Sequence, residues 1–176
     1  LINAIEICKK NKCITLGIVN VVDSLIAQSV DCGIYLNAGR ENAVASTKSF
    51  TSMVIAISLF CLWLNEKTFN APILNSLRKT GIETQNILEN VKLKEECKGL
   101  VKFIVERKIE NIFLLGSNKM YIIAKEGALK IKEMTYIHAE SYPAGSLKHG
   151  PFALLDNKNL TLHWQNYLNG RHTQSF

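Results

Sequence analysis

Several features that would place a protein in a specialised class are missing from this 176-residue sequence. Its most apolar run covers residues 50–64 and falls short of the ~20 residues that a membrane-spanning helix needs. No basic segment followed by an apolar one opens the chain, and residue 1 is Leu rather than Met. We therefore expect no membrane association, and we expect a fragment or a product whose start lies elsewhere.

Paired cysteines are also missing. The five cysteines are an odd number, and no two of them make a CxxC motif. No two histidines or carboxylates have the spacing of metal ligands either. This pattern predicts reduced thiols in a cytoplasmic protein, without a disulfide framework and without a metal.

Basic residues exceed acidic ones by 21 to 15, but they are scattered along the chain. Nucleic-acid-binding proteins usually cluster their basic residues and place aromatic side chains among them. Neither a zinc-finger spacing nor an aromatic RNA-binding signature is present. We predict no nucleic-acid partner, and we interpret the positive balance as solubility plus attraction for small anions.

What the sequence does contain is a globular composition, with 47% hydrophobic and 20% charged residues. Its first third alternates short β-rich runs with helical patterns, which favours a parallel α/β sheet. The predicted elements are helix 1–11, strand 13–19, helix 23–28, strand 33–36 and helix 47–64. The last of these is apolar nearly all round and is predicted to be a buried core helix.

The remaining two thirds start with a charged helical stretch that joins two α/β units, with possible breaks at Gly81 and Gly99. A second strand, turn and helix follow it. The predicted elements are helices within 71–108, strand 111–115, turn 116–118, helix 121–135 and a short helix after Gly145.

Three ionisable side chains, Glu126, Lys130 and Glu133, follow the spacing i, i+4 and i+7 and therefore share one stripe of a helix. The stripe is either a solvated row of ion pairs worth a few tenths of a kcal/mol or part of a catalytic site. Gly127 favours the second interpretation slightly. A glycine inside a helix costs up to ~1 kcal/mol against alanine, so we expect something to approach the backbone there.

Two histidines follow this helix. His149 lies between Lys148 and Gly150 in a loop, where an imidazole can be a surface side chain or a general acid and base. His138 follows apolar residues and is predicted to be a packed histidine.

The residues Ser46 and Thr47 stand where the helix 47–64 begins, so they are predicted to cap it. The free N–H groups of a helix N-terminus could also bind an anion or a sugar hydroxyl. The two roles are compatible.

Four motifs together resemble the isomerase region of the glutamine–fructose-6-phosphate aminotransferase family: AVASTK (43–48), EGALKIKE (126–133), YIHAE (136–140) and LKHGP (147–151). The resemblance implies an α/β fold with parallel sheets flanked by helices, belonging to parts of two tandem SIS (flavodoxin-like) domains. It also implies these boundaries: 1–65 as the end of a first SIS domain, 66–108 as a helical connection, 109–156 as the start of a second SIS domain, and 157–176 as an unassigned tail.

The same resemblance implies residue roles. Glu133 matches the carboxylate that moves a proton between C1 and C2 of the sugar. His149 matches the histidine that opens the sugar ring, reaching in from the neighbouring subunit of a homodimer. Lys130 matches a lysine near the reacting carbons, and Val44 and Ser46 match contacts to the sugar. The implied ligand is a sugar phosphate, with no cofactor.

The departures from the family pattern are as informative as the matches. Ser117-Asn118 stands where the family usually has Arg-Gly, and Ser146 where it has glutamate. The family's glutaminase domain, phosphate-binding loop and carboxy-terminal lysine have no counterpart in these 176 residues. We therefore expect a fragment that is inactive alone. The alternatives are a non-catalytic sugar-phosphate-binding module of the SIS type, and a degenerate fragment without a biochemical role.

Overall fold

The computed structural model describes residues 1–65 and 71–164. The chain divides into two compact units, with the boundary between Glu89 and Asn90. No helix within the described ranges is both long enough and apolar enough to cross a membrane.

In its described residues, 1–65 and 71–89, the first unit contains a two-stranded parallel sheet and four helices. In chain order its elements are α1 (Ile2–Lys10), β1 (Leu16–Val19), α2 (Leu25–Ser29), β2 (Cys32–Tyr35), α3 (Lys48–Leu64) and α4 (Ala71–Glu89). Leu16 lies opposite Cys32 and Val19 lies opposite Tyr35. The parallel pairing confirms the fold class that the strand–helix rhythm predicts.

The carboxylate of Asp31 binds side-chain and backbone groups at the start of this sheet. The N–H and hydroxyl groups of Thr15 donate to Asp31 Oδ2 at 2.8 and 2.7 Å, and Lys9 Nζ lies 3.4 Å from Asp31 Oδ1. The hydrogen bonds from Thr15 lower the pKa of the Asp31 carboxyl, with a smaller contribution from the charge of Lys9. Asp31 thus connects α1, β1 and the approach to β2.

The prediction that the third helix is a buried core helix is wrong. Ala56 is the one buried residue of α3, whereas Val54 is 49% and Trp63 is 68% exposed. Two strands are too narrow to cover a helix that is apolar on every face. An apolar groove of about 650 Å³ is left between β1, β2 and α3.

The break in the long helical stretch lies at Asn90, and the breaks predicted at Gly81 and Gly99 are absent. Both glycines lie inside helices, α4 and α5 (Val91–Glu106). Asn90 has extended backbone angles, and its side chain accepts a hydrogen bond from the N–H of Leu93 at 3.0 Å. A side-chain cap therefore starts a new helix there, while a helical glycine only lowers propensity.

The described part of the second unit, residues 90–164, contains a three-stranded parallel sheet with β3 in the centre, in the order β4-β3-β5. After α5 its elements are β3 (Asn111–Gly116), α6 (Lys119–Thr135), β4 (His138–Pro143), two 3₁₀ helices (Ala144–His149 and Pro151–Leu154) and β5 (Asn159–Trp164). Gly116 lies opposite Pro143 on one side and Trp164 on the other. The carboxyl ends of the three strands therefore share one edge of the sheet.

The core of this unit lies between α6 and one face of the sheet. Ala124 and Ala128 of α6 pack on Ile112 and Leu114 of the central strand, all of them nearly inaccessible to solvent. Partly buried side chains surround this cluster: Ile104, Ile131, Ile137, Leu160, Leu162 and Trp164. Small residues on α6 let the helix approach the sheet closely.

Residues 157–176, the tail that the sequence analysis leaves unassigned, include a strand of the second sheet. Residues 159–164 form β5 and pair in parallel with β3 from Asn111 to Gly116. Residues 165–176 lie outside the described part of the chain, as do residues 66–70 of the predicted connection. The boundaries of the two SIS portions remain predictions.

Candidate functional site

The ionisable stripe of α6 forms a compact cluster. Lys130 Nζ lies 2.9 Å from Glu133 Oε2 and 3.4 Å from Glu126 Oε1. The three side chains are only 20–26% exposed. The helix therefore holds one ammonium group between two carboxylates in partial shelter from water, which differs from the fully solvated row that was the alternative.

The cluster also fixes the charge of Lys130. The hydrogen bond to Glu133 is the main reason why the pKa of the Lys130 ammonium is raised, and Glu126 adds to it, while partial burial acts in the opposite direction. Lys130 therefore remains a cation at neutral pH. Among the hydrogen bonds of the described residues, Glu133 uses only Oε2. Its second oxygen is available to accept a proton or a hydrogen bond.

Two glycines fix the position of α6 on the sheet. A Cβ at Gly116 would lie 2.4 Å from the backbone carbonyl of Met120, so only glycine allows the first turn of α6 to fold back on β3. A Cβ at Gly127 would lie 3.2 Å from Leu114 Cδ2. This confirms the expectation that something approaches the backbone at Gly127.

The turn into α6 carries strain. Asn118 has φ 52° and ψ −121°, a region that favours glycine. The N–H of Met120 donates to the carbonyl of Ser117 at 3.0 Å and closes the turn. Glycine, which the family resemblance predicts at position 118, is thus the residue that this backbone would accommodate without strain.

The predicted ring-opening histidine is not assembled with the α6 cluster. His149 ends the first 3₁₀ helix, is exposed, and is followed by Gly150 at φ 142°. Within the described residues it makes no hydrogen bond or ion pair with Lys130 or Glu133. Its role therefore remains a prediction.

The prediction of a packed His138 is wrong, because its side chain is 55% exposed. Nδ1 is 3.0 Å from Asn111 Oδ1, and Nε2 is 3.6 Å from Glu140 Oε1. The Tyr142 hydroxyl donates to the other oxygen of Glu140, which raises the pKa of Tyr142. Alternation along β4 places these three side chains on the face opposite the α6 core.

Val44 and Ser46 lie in the first unit, in the segment before α3. Val44 is 85% exposed, Ser46 is half-buried, and Ala45 between them is 4% exposed. A buried anchor between two accessible residues suits a loop that presents side chains to a ligand. Their contacts to a sugar remain predictions.

Thr47 is the N-cap residue of α3, as predicted, but its side chain makes no capping hydrogen bond. Instead Glu41 Oε1 accepts hydrogen bonds from the N–H of Ser49 at 2.8 Å and from its hydroxyl at 3.1 Å. The bond from the Ser49 N–H is the main cause that lowers the pKa of Glu41. A carboxylate therefore already occupies the anion-binding position at this helix end.

The described residues were also compared with the requirements of a metal site. No group of three or more His, Cys, Asp or Glu side chains in residues 1–65 and 71–164 is arranged to bind an ion. All five cysteines are free and exposed.

Parallel strands joined by helices, with small residues at the helix–sheet contact, define an α/β protein. The sequence profile of the SIS domain matches residues 1–62 and 106–163. The chain therefore belongs to the SIS domain family.

Sequence similarity to complete proteins indicates a narrower group of relatives within this family. The chain is 44% identical over 158 residues to a probable glutamine–fructose-6-phosphate aminotransferase (isomerizing) of Acanthamoeba polyphaga mimivirus, covering 88% of this chain and 25% of the relative. It is 37% identical over 160 residues to glutamine–fructose-6-phosphate aminotransferase (isomerizing) 2 of Homo sapiens, covering 88% and 23%. The chain thus spans about a quarter of the length of these relatives.

Solved structures agree with this assignment. The C-terminal domain of glucosamine–fructose-6-phosphate aminotransferase from Francisella tularensis superposes with a TM-score of 0.79 at 32% identity, covering 92% of this chain and 46% of that one. A putative phosphosugar isomerase from Clostridium difficile gives a TM-score of 0.69 at 21% identity, covering 96% and 48%. The second similarity concerns the fold alone.

Proposed function

We propose that this chain is part of the sugar-phosphate isomerase region of a glutamine–fructose-6-phosphate aminotransferase. The reaction of the complete protein would convert fructose 6-phosphate to glucosamine 6-phosphate for hexosamine synthesis. The identity of 34–44% to proteins of that name supports the proposal. The proposed location is the cytoplasm, in agreement with five free and exposed cysteines.

The observation that carries the proposal is the contact of Lys130 Nζ with Glu133 Oε2 at 2.9 Å. A ketose-to-aldose shift needs one base that takes a proton from C1 and returns it at C2. In the proposal Glu133 is this base and acts through its second oxygen. Lys130 holds the carboxylate in place and offers its remaining N–H group to a substrate oxygen near the reacting carbons.

The other assigned residues act on the substrate before the proton transfer. His149 donates and accepts the proton that opens the sugar ring, and it does so in the neighbouring subunit of a homodimer. Its exposed position at the end of a 3₁₀ helix is compatible with that role. Val44 and Ser46 contact the sugar.

The first experiment assays the 176 residues by themselves with fructose 6-phosphate and glutamine. We expect no glucosamine 6-phosphate, because these residues include no counterpart of the family's glutaminase domain, phosphate loop or carboxy-terminal lysine. Turnover above background that is abolished by Glu133→Gln would show that the 176 residues are sufficient.

The second experiment uses a chain completed with the flanking segments of a relative. Glu133→Gln should lower the isomerisation rate by roughly 10²- to 10⁴-fold, the usual contribution of a positioned general base. Sugar binding should change little, because the substitution preserves shape. Glu95→Gln removes a carboxylate from an equally local ion pair with Lys98 on α5 and is the matched control. An unchanged rate with weakened binding would assign Glu133 to substrate binding.

A non-catalytic sugar-phosphate-binding module is the second candidate. Asn118 favours it, since a strained residue in place of the family glycine alters the turn that starts the proposed catalytic helix. In the completed chain, calorimetric binding of fructose 6-phosphate without isomerisation would favour this module. Measurable isomerisation would exclude it.

A further inference from the structure

The turn that ends α1 has the hydrogen bonds of a recurrent helix-ending motif. The N–H of Cys13 donates to the carbonyl of Cys8 at 2.9 Å, and the N–H of Lys12 donates to the carbonyl of Lys9 at 2.9 Å. Lys12 has φ 57°, the left-handed conformation in which many helices end. These two bonds and this conformation define a Schellman motif.

The motif brings the side chains of two particular positions into contact. One is the third residue before the C-cap residue, and the other is the second residue after it. Asn11 is the C-cap residue of α1, so the two positions are Cys8 and Cys13. The contact usually joins apolar side chains, and here it joins two thiols.

The backbone hydrogen bond also limits the distance between these two cysteines. With an N–O distance of 2.9 Å, standard bond lengths keep the two Cα atoms within ~6.8 Å of each other. Disulfides occur at Cα separations of about 4.4–6.8 Å. The backbone of this turn therefore meets the upper limit for a disulfide.

Both thiols are accessible to a reagent in solution. Cys8 and Cys13 are free and exposed. The Cys13 thiol donates to the carbonyl of Asn11 at 3.7 Å, but a thiol is a weak donor, so this bond opposes a reaction little. The segment CKKNKC (8–13) also contains three lysines, and their positive charge attracts anionic reagents.

We propose that Cys8 and Cys13 are a redox pair that forms a reversible disulfide across the turn at the end of α1. In a reducing compartment such a disulfide is transient and serves as a redox sensor. The spacing of the two cysteines is not that of a CxxC motif. The pair follows from the way in which the helix ends.

The oxidant in this proposal is a low-molecular-weight disulfide such as oxidised glutathione. One cysteine thiolate attacks a sulfur of the oxidant, forms a mixed disulfide and releases one molecule of reduced glutathione. The other thiolate then attacks the protein sulfur of the mixed disulfide and releases the second molecule. Two protein thiols are thus oxidised, one glutathione disulfide is reduced, and the two thiol protons pass to the released glutathione.

Oxidation would strengthen the connection between α1 and the first sheet. Cys8 belongs to α1, and Cys13 lies three positions before β1. Beside this turn, Lys9 Nζ lies 3.4 Å from Asp31 Oδ1, and the Thr15 hydroxyl donates to Asp31 Oδ2. In the reduced protein these polar contacts join α1 to the sheet, and in the oxidised protein a covalent bond is added to them.

Equilibration of the 176-residue chain with reduced and oxidised glutathione tests the proposal. Trypsin cuts after Lys9 and Lys12, so after free thiols are blocked the expected product is peptide 1–9 joined to peptide 13–40 by one disulfide. Cys8→Ser and Cys13→Ser should each abolish this product. Cys32→Ser is the matched control, since Cys32 lies in the same tryptic peptide as Cys13, and it should leave the product unchanged.

Several results would overturn the proposal. They are a product that persists in Cys8→Ser or in Cys13→Ser, a product that is lost in Cys32→Ser, and a disulfide that joins two chains on a non-reducing gel. The absence of any disulfide at glutathione ratios that oxidise the pair in the urea-unfolded chain would have the same meaning.

Two variants of Lys12 test whether the motif itself prepares the pair. Lys12→Gly keeps the left-handed conformation, whereas Lys12→Pro fixes φ near −65° and removes the N–H group. Lys12→Pro should lower the equilibrium constant for oxidation by about tenfold or more, and Lys12→Gly should not lower it. Concentrated urea should lower the constant of the unmodified chain by about the same factor. Equal constants in all four cases would show that the cysteines react as parts of a flexible segment.

Hydrogen exchange of the unmodified chain gives a readout without any substitution. The Cys13 amide should exchange at least about tenfold more slowly in the oxidised protein than in the reduced protein, because the disulfide opposes the local opening that breaks its bond to Cys8. The Leu93 amide, which donates to the cap residue Asn90 in the second unit, is the internal control and should not change. Equal rates for Cys13 in both states would contradict closure of this turn.

Discussion

Replacing Gly127 by alanine tests whether close helix–sheet contact places the α6 cluster. The added methyl group would lie 3.2 Å from Leu114 Cδ2, closer than ordinary van der Waals contact. Leu114 is fully buried on the central strand β3, so its side chain has little room to move. The substitution should therefore push α6, with Lys130 and Glu133, away from the sheet.

Two opposing effects determine the size of the change. Alanine gains up to ~1 kcal/mol of helix propensity over glycine, whereas overpacking a well-filled core costs about 1–3 kcal/mol. The free energy of unfolding should thus fall by about 0–2 kcal/mol. Gly99→Ala is the matched control, since no atom lies within 4 Å of the position its Cβ would take. It should gain about 0.5–1 kcal/mol from propensity alone.

Urea unfolding of both variants and the unmodified chain, at one protein concentration, measures these values. The quantity of interest is the difference between the two variants, which should be about 1–3 kcal/mol and isolates the steric cost. If Gly127→Ala stabilises the chain as much as Gly99→Ala does, then α6 does not lie in tight contact with Leu114. The reasoning would then be refuted.

Two further predictions concern backbone strain and acid stability. Asn118→Gly should raise the free energy of unfolding by about 1 kcal/mol, because relief of the strained φ of 52° outweighs the added freedom of the unfolded chain. Asn118→Ala should lower it, and an equal effect of both would contradict strain as the cause. The folded-state pKa of Asp31 lies below the ordinary 3.8, so its contribution to stability is present above that pH and is lost as the pH falls through the folded value. Asp31→Asn should flatten the acid limb of a stability–pH curve, and an unchanged limb would contradict the assignment.

The elements with a strong hydrophobic period could be predicted from the sequence. The predicted helix 121–135 and strand 111–115 correspond to Lys119–Thr135 and Asn111–Gly116. Both lie in the core of the second unit, where burial imposes an apolar pattern on the sequence.

Strands β4 and β5, at the two edges of the second sheet, were missed for two different reasons. Strand β4 (HAESYP) exposes its polar face and ends in proline, so it shows no apolar alternation. Strand β5 does alternate, with Leu160, Leu162 and Trp164 facing the core, but it lies in the tail 157–176, which matched no family motif. The apolar alternation of β5 is therefore present in the sequence, but the lack of family resemblance in this segment hid it.

The candidate site was only partly accessible to sequence reasoning. Helical spacing alone placed Glu126, Lys130 and Glu133 together, and the distances agree with it. The spacing of residues along the chain could not predict that Glu41 accepts the hydrogen bonds at the N-terminus of α3. Glu41 and its partner Ser49 are eight positions apart, on the two sides of a loop. Long-range contacts of this kind depend on the folded loop.

The charge balance of the α6 cluster has a consequence for the orientation of any ligand. Two carboxylates against one ammonium group leave one uncompensated negative charge. Two like charges 4 Å apart near a protein surface repel each other by about 4 kcal/mol at an effective dielectric constant of 20. A phosphate group would be repelled from this stripe, while an uncharged carbonyl or hydroxyl group would be accepted. The stripe thus discriminates between ligand groups by charge, because it accepts uncharged polar groups and repels anionic ones.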